Sequence, residues 1–131
     1  MPHITILYAG LLGLLSLVLS ALSGRLRGKV GASIGDGGSK EMLLSMRRHA
    51  NFVEYVPLAL LLIALLEMNG VSPTVIHTLG AALVFCRISH AFGLRADKMV
   101  TLGRFIGHAG TFFITLIASV WAIVVYFVGA A

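Results

Sequence analysis

The sequence predicts an all-α membrane protein, an up-and-down bundle of four transmembrane helices. Three observations carry that prediction. Hydrophobic residues make up 58% of the 131-residue chain and charged residues only 11%, against roughly 45–50% and about 25% in soluble domains. The apolar residues gather into four runs, each long enough to cross a hydrocarbon core of roughly 30 Å. All ten Lys and Arg residues fall toward one end of those runs. A chain of this size and mean hydropathy (+0.97) has more apolar surface than a water-soluble globule can hide. A soluble enzyme, a disordered regulator and a disulfide scaffold are therefore excluded. The single cysteine, Cys86, permits no intrachain disulfide and no cysteine-based metal site. The net charge of +5 comes without an aromatic-basic face, so the cations point to membrane lipid and not to nucleic acid.

The first span covers about 4–23 and holds no charge. A cleaved leader fits it poorly, because no cation precedes the run and the run exceeds the usual ~7–15 apolar residues. Residues 24–40 read as a loop, with five glycines from Gly28 to Gly38 as its breakers. The second span covers about 41–67, with Glu54 inside it and Asn69-Gly70 and Ser72-Pro73 ending it. Helical pattern begins near Lys40, so this helix projects beyond the bilayer. The third span, about 74–94, carries Arg87, and Arg95-Ala96-Asp97-Lys98 forms the loop after it. The fourth covers about 105–128. No repeat or linker divides the chain, so residues 1–131 read as one domain. Short connections between four spans make the bundle antiparallel throughout.

Charge then orients the bundle. Arg25, Arg27, Lys29 and Lys40 belong to the first connection, and Arg95, Lys98 and Arg104 bound the third, while the second has neither Lys nor Arg. The excess of cations on cytoplasmic loops places connections one and three in the cytoplasm and both termini on the other side.

Two charges lie where the membrane penalises them. Glu54 and Arg87 each cost about 2.5–3.5 kcal/mol on the insertion scale, and such residues are functional candidates by default. In Arg47-Arg48-His49-Ala50-Asn51-Phe52-Val53-Glu54-Tyr55-Val56-Pro57, Arg47, Asn51 and Glu54 stand at i, i+4 and i+7, on one helical stripe. The stripe offers a planar cation, an amide and an anion. Pro57 removes the donor to the Val53 carbonyl. In the third span Arg87 and His90 share a face at i and i+3, and Arg104 opens the fourth span at the same depth. Two readings stand side by side. The charges lock helices together through ion pairs such as Arg87–Glu54, or they line a cytosol-facing pocket for a small zwitterion. Arg grips carboxylates bidentately and Glu holds an ammonium.

Arg47-x-x-x-Asn51-x-x-Glu54-Tyr55-x-Pro57 at the start of the second of four spans resembles the signature of the MAPEG family, membrane-associated proteins in eicosanoid and glutathione metabolism. Arg87-x-x-His90-x-x-Gly93 resembles a second block of that family. The resemblance covers essentially the whole chain and is closest to small bacterial members. It implies a bacterial inner-membrane homotrimer that binds glutathione between subunits near the cytoplasmic side. It also implies transferase or peroxidase chemistry on a hydrophobic small-molecule substrate. By position, Arg47, Asn51, Glu54 and Tyr55 would bind glutathione, with Arg87 and His90 completing the site and Arg25 as a further contact. Arg104 would be the catalytic, thiol-activating guanidinium. No metal is implied. Ala50 and Leu94 depart from some members, which carry an Arg and a Tyr there; one cation and one hydroxyl are thereby missing, which bears on catalysis more than on binding.

Two other functions compete. A non-catalytic trimeric membrane protein that binds a lipid or a partner would share the fold. A small multidrug transporter would carry its essential carboxylate in the first span, and here that span has none. The remaining features read as packing. Gly13, Ser16, Ser20 and Gly24 form a small-residue stripe on span one, and Gly103, Gly107 and Thr111 form one on span four. Cys86 reads as a small core residue, Asp36 and Glu67 as solvated charges, and His3, His77 and His108 as scattered, without metal-ligand spacing.

Overall fold

A computed structural model describes residues 1–129. They form four helices: α1 (His3–Val30), α2 (Lys40–Met68), α3 (Pro73–Gly93) and α4 (Leu102–Gly129). All four are long and apolar enough to cross a membrane. The start of α1 meets the end of α2, through Thr5 and Glu67. The first half of α2 meets the end of α3, through Asn51 and Arg87. The end of α3 meets the start of α4, through Arg87 and Gly107. Each consecutive pair is therefore antiparallel, as the short connections require. Helices α2 and α3 touch each other and both outer helices, whereas α1 and α4 make no contact with each other among the described residues.

The outer helices bury narrow stripes. On α1 these are Thr5, Tyr8, Leu12 and Leu19; on α4 they are Gly107, Thr111, Ile114 and Ala118. Both follow helical periodicity. Leu14, Leu17, Leu58, Leu61, Phe85, Phe112 and Phe113 point outward, an apolar exterior that suits lipid and protein neighbours but not water. The core between the helices holds Leu12, Phe52, Ala59, Ile63, Ile76 and Leu83.

The first helix is longer than the sequence reading allowed. Residues 24–30, read as loop, complete α1, so Arg25, Arg27 and Lys29 lie on a helix. Glycines there act as breakers in a sequence reading, yet Arg, Leu and Lys between them are good helix formers. Cations in a last turn are also favoured by the helix dipole. The stop comes at Gly31, whose left-handed φ of 72° and N–H bond to the Arg27 carbonyl make the usual glycine cap. Arg27 reaches forward to the carbonyls of Ala32 (3.0 Å) and Gly35 (3.1 Å), tying the loop to the helix that precedes it. At 28 residues, α1 is about 42 Å long and outreaches the hydrocarbon core.

Glu67 is not a free solvated charge. Its carboxylate accepts from the backbone N–H groups of Ile4 and Thr5, both at 2.8 Å, and from the Thr5 hydroxyl at 2.6 Å. The first-turn donors of α1, which have no intrahelical partner, are thus satisfied from the end of another helix. His77 is likewise engaged, with its Nδ1 2.9 Å from the Tyr8 hydroxyl. The Tyr8 ring lies where a Cβ on Gly80 would stand. Glu67→Ala should lower stability by about 1–2 kcal/mol, the range of a lost N-cap, with Glu67→Gln intermediate. Denaturant titration in micelles, followed by circular dichroism, measures this; unchanged midpoints would remove the capping role.

The two small-residue stripes behave differently. On α4, Cβ atoms added at Gly103 or Gly107 would press on the α3 backbone, and one at Gly110 on the Cys86 sulfur. On α1, Cβ atoms at Gly13 and Gly24 would meet nothing. The two glycines of that stripe therefore make no close helix contact within the protomer.

Candidate anion-binding cleft

The site begins with Arg87. It is the largest fully buried side chain of the bundle, 2% exposed. One guanidinium nitrogen donates to Asn51 Oδ1 at 3.0 Å and another to the Gly107 carbonyl at 2.6 Å. The guanidinium carbon lies 5.9 Å from the centroid of the Tyr55 ring, within cation–π range. Its Nε has no partner. Arg87 thus joins three helices through neutral groups. The Gly107 carbonyl is reachable because that residue lacks a side chain where α4 crosses α3. Asn51 lies one helical turn beyond Arg47.

The expected Arg87–Glu54 pair is not formed. Glu54 pairs instead with Arg47, at 3.8 Å, and both side chains are more than half exposed. The reason is the rotation of α2: Val56 and Ala59 turn inward, which carries Glu54 to the outer side and leaves only Asn51 and Tyr55 facing Arg87. Exposed pairs of this kind contribute about 0–1 kcal/mol. No carboxylate pairs with Arg87 among the described residues.

Two adjoining clefts open beside these groups, each of about 410 Å³. They share Asn51, His90 and Arg104. The outer one adds Lys40, Arg47 and an apolar wall of Leu43, Leu44 and Leu94. The inner one adds His108, Phe105 and the loop residues Met99 and Val100. No carboxylate lines either. His90 is 5% exposed, and its ring makes no hydrogen bond among the described residues. Arg104 stands in the first turn of α4. Thr101 caps that helix, its hydroxyl accepting from the Arg104 N–H at 3.2 Å and donating to the Gly93 carbonyl. The Arg104 guanidinium donates to the Met99 carbonyl at 2.5 Å. In the same loop Arg95 holds the Asp97 carboxyl below its usual range through hydrogen bonds of 3.0 Å.

The sequence-predicted residues therefore divide. Arg47, Asn51, His90 and Arg104 line one continuous opening, and Arg87 lies behind Asn51. Glu54 and Tyr55 line a separate groove of about 290 Å³ with Leu58, Phe112 and Ser119. Arg25 is exposed on α1 and lines neither cleft. Two residues were missed. Arg48 donates to the Leu94 carbonyl at 2.7 Å, which fixes the end of α3 at the cleft wall. Its signal was its place four residues before buried Phe52, on the inward stripe. His108 reads as scattered in the sequence, although it follows Arg104 by one turn.

Fold and site together define an integral membrane protein whose cation-rich end carries an open cleft lined by Lys40, Arg47 and Arg104. The profile of the MAPEG family matches residues 5–124, and the chain belongs to that family. It is similar to the inner membrane protein YecN of Escherichia coli strain K12, 38% identical over 90 residues that cover 69% of each chain. The same figures hold for YecN of Escherichia coli O6:H1 strain CFT073. No solved structure gives a significant match.

Proposed function

We propose that this chain is a glutathione-dependent transferase or peroxidase of the bacterial inner membrane. In this reading it works as a homotrimer, with both termini on the non-cytoplasmic side. The inner-membrane placement draws support from the YecN relatives. The orientation draws support from the cations, which the antiparallel fold gathers at one end of the bundle.

The observation that carries the catalytic reading is the cleft that presents Lys40, Arg47 and Arg104 with no acid on its walls. Glutathione brings two carboxylates, which guanidinium groups grip well. Its ammonium suits Glu54, which lies in the neighbouring groove, 3.8 Å from Arg47 of the cleft wall. Its thiol is mostly protonated at neutral pH, with a pKa near 8.5, and the thiolate is the nucleophile. In this reading Arg104 favours the anion by its charge, and the sulfur attacks a hydrophobic electrophile delivered through lipid.

Calorimetric titration of glutathione into detergent-purified protein, beside Glu54→Gln, tests the pocket. Binding by the wild type that Glu54→Gln loses supports it; binding by neither removes it. Arg104→Leu should retain glutathione but conjugate roughly tenfold more slowly or worse, as expected for a thiol pKa raised by about one unit. Unchanged turnover would reject the role of Arg104. One observation favours a second reading, a non-catalytic binding protein: the Arg104 guanidinium already donates to the Met99 carbonyl. Glutathione binding without conjugation by the wild type would select it.

A further inference from the structure

His108 has no part in the reading above, yet its position is specific. It follows Arg104 by four residues, on the same face of α4 and about 6 Å along the axis. It shares the inner cleft with Asn51, His90 and Arg104. Its ring stands nearly perpendicular to that of Tyr55, centroids 6.0 Å apart, and Tyr55 in turn adjoins Arg87. The groups around His108 are thus Arg104 from its own helix, Asn51 and Tyr55 from α2, and His90 from α3, with Arg87 beyond Tyr55. The loop contributes only the uncharged Met99 and Val100 to this cleft.

The two imidazoles differ in access. His90 is buried, whereas His108 is exposed in the open cleft. A neutral imidazole has one nitrogen able to accept a proton, and only a ring that opens on the cleft can take that proton from a thiol held there. An acceptor one turn from the guanidinium that would hold the sulfur anion is the arrangement that ionising a thiol calls for.

We propose that His108 is the proton acceptor for the glutathione thiol, working beside Arg104. The inference rests on the glutathione reading given above. The imidazole nitrogen takes the thiol proton, so an S–H bond breaks and an N–H bond forms. The sulfur lone pair then makes an S–C bond to the β-carbon of an α,β-unsaturated carbonyl compound. The π pair of that double bond shifts toward the carbonyl, and the imidazolium returns its proton to the α-carbon. The net reaction adds a thiol across C=C, with no oxidant, no leaving group and His108 restored.

The test uses the full-length protein in detergent, glutathione and an apolar α,β-unsaturated ketone. His108→Gln should bind glutathione as the wild type does but react roughly 100-fold more slowly at pH 7, a typical contribution of a positioned base. Its pH–rate profile should lose the limb set by an imidazole and rise only with the thiol's own ionisation. His108→Ala should regain rate when imidazole is added to the buffer. A His108→Gln protein with wild-type rate and profile would overturn the proposal. So would loss of glutathione binding in both variants, which would make His108 structural. A wild type that neither binds glutathione nor conjugates it removes the underlying reading and this one with it; a wild type that conjugates while His108→Gln is unaffected removes this one alone.

Discussion

Arg87→Met should lower the stability of the bundle by about 1–3 kcal/mol, the cost of leaving a buried acceptor unsatisfied, and under the proposed function it should weaken glutathione binding. The side chain crosses from α3 to both α2 and α4, and each contact is a hydrogen bond from a cation, worth about 1.5–3 kcal/mol. Methionine fills much of the volume but leaves Asn51 Oδ1 facing a thioether. The Gly107 carbonyl keeps a bond from the Thr111 hydroxyl, at 2.8 Å, so the larger share of the loss should come from the α2 side. Arg87→Lys separates charge from geometry. An ammonium keeps the charge but lacks the planar fork that reaches two helices at once, so it should recover only part of the stability. Thermal and denaturant unfolding in micelles measure both variants. A fully stable Arg87→Met protein would mean that the three-helix tie is not what holds these elements together.

Gly107→Val should be at least as damaging. A Cβ at this position would stand 2.5 Å from the Cys86 carbonyl and from the backbone N and Cβ of His90. Those are mostly backbone atoms, so relief requires α3 and α4 to separate. Overpacking of this kind costs about 1–3 kcal/mol and occasionally more. The separation also withdraws the Gly107 carbonyl from Arg87 and widens the cleft at His90, so under the proposed function glutathione affinity should fall with stability. Gly13→Ala is the matched control. Nothing lies within 4 Å of its added Cβ, and helix propensity alone favours alanine by about 1 kcal/mol. If Gly13→Ala instead disperses an oligomer in native mass spectrometry, the unused α1 stripe is a contact between copies.

The fold was legible because its signals are local. Four apolar runs, two turn sequences and one-sided cations depend only on neighbouring residues, and helix ends fell within a few positions of expectation except at α1. There the Gly-Arg-Leu-Arg-Gly-Lys-Val sequence carries both breakers and helix formers, and the cap at Gly31 decides. The site was legible as a set of residue types at helical spacing. Their partners were not, because partner choice depends on how each helix is rotated and how deeply neighbours interpenetrate. Arg87 finds Asn51 and a backbone carbonyl instead of Glu54 since α2 turns Glu54 outward and Gly107 admits a close approach. Glu67 looked like a charge at a helix end; nothing near it in sequence points to Ile4 and Thr5, which lie 63 and 62 residues away.

That separation bears on how the protein is made. The N-terminal turn of α1 is synthesised before α2, with its amide donors uncapped, and their acceptor arrives only as α2 nears completion. Until α2 is complete, that turn lacks the carboxylate that caps it. Fastening of that turn by Glu67 then closes the α1–α2 hairpin, before α3 and α4 need be present. Assembly of the bundle is in this way divided into two halves, the first of which can be latched by a single carboxylate.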